Sequence, residues 1–182
     1  LYKDPFSNKD METHYIAILV LCETFDLEGT PLPTNTRHNA VKLFAQKPEL
    51  EPMYGIEQEF FISHSCYPLG FRMDGTFPES QGDYYCGVGG DHIIGRKFIG
   101  DAFANCLYAG LQLTGLNAEV APSQWEFQVC ANGIDAGDQL YIMRYILRRT
   151  AEDYNWDVTF HPKPITGGDW NGSGCHTNFS TK

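Results

Sequence analysis

The chain has 182 residues, of which 42% are hydrophobic and 20% charged, a composition typical of a globular protein that buries its own core. Its 23 acidic and 13 basic residues give a formal net charge of −10, which disfavours nucleic-acid phosphates and anionic membrane surfaces as partners. No apolar run approaches the roughly 18 residues of a membrane-spanning helix. We therefore expect neither a nucleic-acid partner nor membrane insertion.

The N-terminal part of the chain predicts a strand, a loop and a short helix in that order. The apolar, β-branched segment 16–24 predicts a buried strand. The stretch 26–35 is rich in Gly and Pro, so it marks a loop and a candidate domain boundary. Residues 37–46 then predict a short helix with Thr34 or Asn35 as its N-cap.

The remaining periodic segments predict another strand and two longer helices. Residues 54–63 form the strand, and apolar residues at helical spacing predict a helix over 91–113 that Gly115 closes. A second amphipathic helix is predicted over 135–154, with Asp135 as its N-cap. This mixture predicts an α+β fold in which helices back a largely antiparallel sheet. Six widely spaced cysteines favour reduced thiols, as in a cytoplasmic protein, over a disulfide framework.

Four strand-like segments carry polar residues at i, i+2 spacing, which places those residues on one face of each strand. The polar residues are Glu57 and Glu59; Asn117 and Glu119; Gln124, Glu126 and Gln128; and His176, Asn178 and Ser180. In one sheet they would form a patch of four carboxylates, an imidazole and several amides. Clustered carboxylates raise each other's pKa unless cations balance them.

Carboxylate oxygens with one histidine suit Mg²⁺ or Mn²⁺ better than Zn²⁺, and such ions stabilise charge in phosphoryl transfer. The same alternation is also typical of any antiparallel sheet with one solvated face. The pattern alone therefore leaves two interpretations open, a divalent metal site and a solvated surface.

Longer strings along the chain carry a family resemblance. They are GIEQEFF, GDYYCGVGGDHIIGR, CLYAG, NAEVAPSQWEFQV, GDQL, PKPI and DWNGSGCHTNFSTK, with LYKDPF and PTNTRHNA near the start. In this order and spacing the chain resembles glutamine synthetase of the eukaryotic type, nearly from end to end.

The resemblance implies a glutamine-synthetase-like catalytic core over residues 35–182, preceded by the tail of an N-terminal β-grasp domain over residues 1–34. It implies ATP-dependent ligation of ammonia to glutamate through γ-glutamyl phosphate. ATP is a substrate, and two or more Mg²⁺ or Mn²⁺ ions are expected per site. The expected assembly is a cytoplasmic ring oligomer with active sites between subunits.

The resemblance also implies a role for individual residues. Glu57 and His176 match ligands of a metal near the nucleotide phosphates, and Glu59, Glu119 and Glu126 match ligands of a second metal. Tyr85 matches a tyrosine of the ammonium pocket. The glutamate-binding positions are Glu119, Trp170, Asn171 and Gly172. The ATP-binding positions are Glu57, Glu126, Phe127, Gln128, Asn178, Phe179 and Ser180.

Parts of the family's machinery have no match in this sequence, namely the aspartate that deprotonates ammonium, the flap glutamate and the phosphate-facing arginines. We therefore expect the chain to be a central fragment that does not catalyse by itself. Two alternatives are a related γ-glutamyl-amine ligase and a non-catalytic structural relative. Tyr85 favours ammonia as the substrate, and the complete set of proposed ligands favours an active parent.

Overall fold

The computed structural model describes residues 1–7, 16–71 and 78–182. The strands are β1 (Tyr2–Lys3), β2 (Ile18–Leu19), β3 (Met53–His64), β4 (Tyr67–Pro68), β5 (Leu113–Ala118), β6 (Gln124–Asn132), β7 (Asp157–Thr159) and β8 (Cys175–Ser180). The helices are α1 (Thr36–Phe44), α2 (Arg96–Ala109) and α3 (Ile134–Glu152), with a short 3₁₀ turn at Pro48–Leu50.

The long strand β3 is the centre of an antiparallel sheet. It pairs with β6 along one edge, and β6 pairs in turn with β5. Along its other edge β3 pairs first with β8 and then with β7. Two segments that are distant in sequence, β6 and β8, therefore lie on either side of the first half of β3, while β7 lies beside its end.

The helices α2 and α3 cover one face of this sheet and form the main core with it. Alternate strand residues point toward the helices because side chains alternate between the two faces of a strand. Fully or almost fully buried members of this core are Phe60, Trp125, Phe127 and Val129 from the sheet, Phe98, Ala102 and Cys106 from α2, and Met143, Ile146 and Leu147 from α3. The fold is thus α+β with helices on one side, which confirms the predicted class.

Glycines mark both ends of α2 and the start of α3, rather than the predicted residues. Gly95 precedes α2 with φ of +88°, and a Cβ there would lie 2.3 Å from Cδ1 of Ile62. Gly110 ends α2 in the left-handed region, so the prediction that Gly115 closes this helix is wrong. Helix α3 follows Gly133, and the predicted Asp135 cap is also wrong.

The prediction of a buried strand over 16–24 is wrong in length and burial. Only Ile18–Leu19 forms a strand, paired with Tyr2–Lys3 in a separate two-stranded sheet. Odd and even positions differ: Leu19 packs against the main core, whereas Ile18 and Val20 are more than half exposed. This strand therefore packs on one face only, although its sequence is a continuous apolar run. Composition alone cannot distinguish such a strand from one that is buried on both faces.

The N-terminal segment is attached to the core through α1 and α3. The α1 prediction is confirmed: the Asn35 side chain caps it by accepting the N–H of His38 at 3.3 Å. Arg37 donates two hydrogen bonds to Asp138 on α3, at 2.8 and 2.7 Å, and also pairs with Glu23. The division into domains at residue 34 stays a prediction. Within the described residues, no helix has the length and apolar character to cross a membrane.

Candidate active site

The sheet register brings the predicted polar segments together on the face opposite the helices. Glu57 lies directly across from Gln128 on one neighbouring strand and from His176 on the other. Glu59 lies across from Glu126. Residues directly opposite each other in a sheet point to the same face, so all five of these side chains share one surface.

Three carboxylates on this surface form a compact group. Glu119 follows the last paired residue of β5, and its N–H donates to the Gln124 carbonyl at 2.8 Å, which turns it toward the sheet. One carboxylate oxygen from each of Glu59, Glu119 and Glu126 lies within 4.8 Å of the others. Among the described residues this is the group whose spacing suits a metal ion. Glu57 and His176 share the face without belonging to that group.

The carboxylates line an open pocket of about 400 Å³ together with His176, Gln128 and Tyr85. Tyr85 lies at its rim with 61% of its surface exposed. Glu119 and Glu126 are buried, whereas His176 is exposed. The pocket therefore has a buried acidic floor and an accessible mouth.

Each of the four carboxylates accepts a hydrogen bond from one carboxamide, an arrangement that the sequence reasoning did not assign. The donor–acceptor pairs are Asn178 to Glu57 at 2.7 Å, Gln124 to Glu59 at 2.8 Å, Asn117 to Glu119 at 2.9 Å and Gln128 to Glu126 at 2.7 Å. The i, i+2 spacing along the strands was an available signal for the Asn117–Glu119 and Gln128–Glu126 pairs, whereas the other two pairs join different strands. The carboxamide donor fixes the orientation of each carboxylate and leaves acceptor capacity for a cation.

The protonation of the group follows from its burial and its crowding. Burial, together with the charges of Glu59 and Glu126, raises the pKa of Glu119 from 4.5 to about 7 against the opposing effect of the Asn117 hydrogen bond. Burial is also the largest cause of the raised pKa of Glu126. The negative charge of Glu119 raises the pKa of Tyr85, so its phenol stays protonated near neutral pH. The pocket therefore carries excess negative charge that a cation would neutralise.

The predicted glutamate-binding segment lies beside this group. Phe61 follows Glu59 by two positions on β3 and packs with Trp170 in a second hydrophobic cluster, where Trp170 is only 4% exposed. Asn171 accepts a hydrogen bond from Gln81 at 3.1 Å. The carbonyl of Gly172 accepts one from Gln124 at 3.0 Å.

The predicted ATP-binding residues are divided between the two faces of the sheet. Asn178 is on the carboxylate face, and Ser180 follows it by two positions at the end of β8. Phe127 is fully buried in the main core, and Phe179 lies across from Tyr54 on the helix-bearing face. The side chains of Phe127 and Phe179 thus do not line the pocket, and only their backbone could contact a ligand there. Because side chains alternate between the two faces of a strand, Phe127 and Phe179 point away from the face that carries Glu126 and Asn178.

Comparison with known proteins finds one family over most of the chain. The family described as "Glutamine synthetase, catalytic domain" matches residues 33–182. Glutamine synthetase cytosolic isozyme 1-1 of Oryza sativa subsp. japonica is 48% identical over 188 residues, covering 100% of this chain and 50% of the relative. Glutamine synthetase of Agaricus bisporus is 49% identical over 184 residues with the same coverage. The chain therefore spans about half the length of these curated relatives.

A solved structure described as "Apo GmaS without ligand" has a similar fold. Its TM-score is 0.68 over 85% of this chain and 36% of that chain, at 22% sequence identity. At this identity the comparison supports the fold alone.

Proposed function

The chain belongs to the glutamine synthetase family, and on that basis we propose that its protein ligates ammonia to glutamate with ATP through γ-glutamyl phosphate. The observation that carries the proposal is the Glu59, Glu119 and Glu126 group on the sheet face. Three carboxylates so close together are costly unless cations balance them. A reaction that uses a polyphosphate substrate accounts for this arrangement.

The donor set fits Mg²⁺ or Mn²⁺, because its oxygens are hard ligands and each is oriented by an amide. Glu59, Glu119 and Glu126 would hold one ion, and Glu57 with His176 would hold another. Bound there, such ions would neutralise charge on the transferring phosphoryl group. The chain's own contribution is to keep the carboxylates oriented and close together.

The substrate side of the proposal rests on the residues around the pocket. Trp170, Asn171 and Gly172, with Glu119, would bind glutamate next to the metal ligands. Tyr85 would contribute to the ammonium site, since its protonated phenol lies in the negative field of the carboxylates, which attracts a cation. Acyl phosphate formation would then divide one difficult amide-forming step into two easier ones.

The nucleotide would lie toward the β8 side of the pocket. Glu57, Glu126, Gln128, Asn178 and Ser180 would contribute side chains or backbone to ATP. Asn178 already donates to Glu57 at 2.7 Å, which links a proposed nucleotide residue to a proposed metal ligand. Phe127 and Phe179 would contribute through their backbone.

The setting of the reaction is also part of the proposal. We propose a cytoplasmic ring oligomer with active sites between subunits, supported by the family match and by the rice relative, whose name describes it as a cytosolic isozyme. Residues 1–34 would be the tail of a β-grasp domain and residues 35–182 the first part of the catalytic domain. Since the chain spans half of its relatives' length, we propose that it does not catalyse alone.

The test is ammonia-dependent phosphate release from ATP by the natural full-length protein with glutamate and Mg²⁺. Glutamine should accumulate in proportion to phosphate, and Glu126→Ala should weaken metal binding and abolish phosphoryl transfer. Phosphate release that needs a larger amine in place of ammonia would indicate a γ-glutamyl-amine ligase. No phosphate release by the folded protein, or near-normal turnover by Glu126→Ala, would contradict the proposal.

A further inference from the structure

Gln124 connects the acidic group with the proposed glutamate-binding segment. Gln124 is almost completely buried, with only 1% of its surface exposed. Its Nε2 donates to Oε2 of Glu59 at 2.8 Å and to the carbonyl of Gly172 at 3.0 Å. Its Oε1 accepts the N–H of Ala121 at 3.2 Å. One carboxamide thus joins a metal-ligand candidate, a substrate-binding candidate and the turn before β6.

We infer that Gln124 is a positioning residue that fixes Glu59 and the 170–172 segment relative to each other. The inference rests on the proposed function, in which Glu59 binds a metal and residues 170–172 bind glutamate. Both N–H groups of a primary amide are used, so neither Glu59 nor the Gly172 carbonyl can move far without losing a hydrogen bond in a buried environment.

The surroundings of Gln124 hold its side chain in place. The next residue, Trp125, is 1% exposed and donates its indole N–H to the Ile94 carbonyl at 2.9 Å. The backbone N–H of Gln124 also donates to the Ala121 carbonyl at 3.1 Å. Gln124 and Ala121 are therefore joined by two hydrogen bonds, one through the side chain and one through the backbone of Gln124. The backbone that carries the carboxamide is therefore fixed on both sides.

The other three carboxamides of the site differ from Gln124. Asn117, Gln128 and Asn178 are each paired with one carboxylate, and each is more exposed than Gln124. Gln124 also holds the backbone of a second segment. We therefore expect its loss to affect metal affinity and glutamate affinity together.

Two substitutions of Gln124 test this expectation. Gln124→Met keeps much of the side-chain length but removes the donor and the acceptor. Gln124→Glu keeps the shape and the acceptor for Ala121, but it replaces the donor with a carboxylate that faces Glu59 and the Gly172 carbonyl. Gln46→Met is the matched control, because Gln46 is exposed beyond the end of α1.

The experiment uses the natural full-length protein and titrates it with Mn²⁺ while free Mn²⁺ is followed by electron paramagnetic resonance. In Gln124→Met we expect one class of Mn²⁺ sites to bind about 10- to 100-fold more weakly, the usual effect of losing a residue that orients a metal ligand. The KM for glutamate should rise while the KM for ATP stays near the wild-type value. Gln46→Met should match the wild type in all three measurements.

The inference is overturned if folded Gln124→Met keeps wild-type Mn²⁺ affinity and glutamate KM, or loses only kcat. If Gln124→Met does not fold, Gln124→Glu decides by the same criteria. Failure of both variants to fold would assign Gln124 a purely structural role and also overturn the inference. A wild-type protein that binds no Mn²⁺ would overturn the proposed function itself, and so the two failures are distinguishable.

Discussion

Replacing Glu119 by glutamine should stabilise the metal-free protein at alkaline pH, although it removes a proposed metal ligand. Glu119 is 9% exposed and shares its surroundings with Glu59 and Glu126, so its ionised form is disfavoured in the folded state. Glutamine has nearly the same shape, and its Oε1 can still accept the hydrogen bond that Asn117 donates at 2.9 Å. The substitution therefore removes a charge and preserves the packing.

The magnitude follows from the raised pKa. Folding moves the pKa of Glu119 from 4.5 to about 7, so the folded state binds the proton more tightly than the unfolded state. Stability is then lost as pH rises from 4.5 through 7, and the full penalty applies above 7. At about 1.4 kcal/mol per pKa unit the penalty is at most about 3.5 kcal/mol. Solvent in the open pocket screens part of it, so we expect Glu119→Gln to gain about 1 to 3 kcal/mol at pH 8.

The assay is urea unfolding of the natural full-length protein with EDTA at pH 8 and at pH 5, compared with Glu119→Gln. The gain should be large at pH 8 and small at pH 5, where the wild-type carboxyl is largely protonated. Glu28→Gln, at an exposed loop position, is the control for loss of one negative charge. Adding Mg²⁺ should stabilise the wild type more than Glu119→Gln, because only the former keeps the complete group of carboxylates.

An equal or lower stability of Glu119→Gln at pH 8 without metal would refute this reasoning. So would a gain of the same size at both pH values, because it would then not depend on the carboxylate's charge. A similar gain in Glu28→Gln would instead assign the effect to net charge.

Three further predictions concern residues that support the site. Gly115→Ala should weaken Mn²⁺ binding in a titration, because its Cβ would lie 2.4 Å from Oε1 of Gln128; unchanged affinity would contradict this. Trp125→Phe should lower the free energy of unfolding in urea by about 1 to 3 kcal/mol, because the Ile94 carbonyl loses its indole donor at 2.9 Å; a smaller loss would show that another donor replaces the indole. Arg37→Met should speed proteolysis within residues 16–34, since Arg37 ties this segment to α3; wild-type cleavage rates would show that other contacts hold it.

The sequence predicted the face of the sheet that carries the chemistry better than it predicted where elements end. Alternation in residues 54–63 and 124–129 is a local property of each strand. Because successive side chains of a strand point to opposite faces, Glu59 and Glu126 lie on the face opposite Phe60 and Phe127. Which strands are neighbours is not local. The pairing of β8 with β3 came only from the structure and brings His176 across from Glu57.

The predicted helix boundaries were wrong where the backbone conformation of a glycine, and not the pattern of side chains, determines where a helix begins or ends. Gly95, Gly110 and Gly133 all have positive φ and mark the ends of α2 and the start of α3. Nothing in the apolar periodicity distinguishes them from Gly115, which lies in a strand and accommodates the Gln128 side chain. The role of Gln124 was likewise hidden, because its partner Gly172 is 48 residues away.

The pairing of Glu59 with Glu126 has a consequence for folding errors. Their neighbours Phe60 and Phe127 lie on the other face, fully buried. If β6 slipped by one residue against β3, its Phe127 would enter the aqueous pocket and its Glu126 would enter the core. Such a sheet would lose its stability at the same time as its ligand geometry. Quality control that detects exposed apolar surface would therefore also eliminate molecules in which the carboxylates of the site are misplaced.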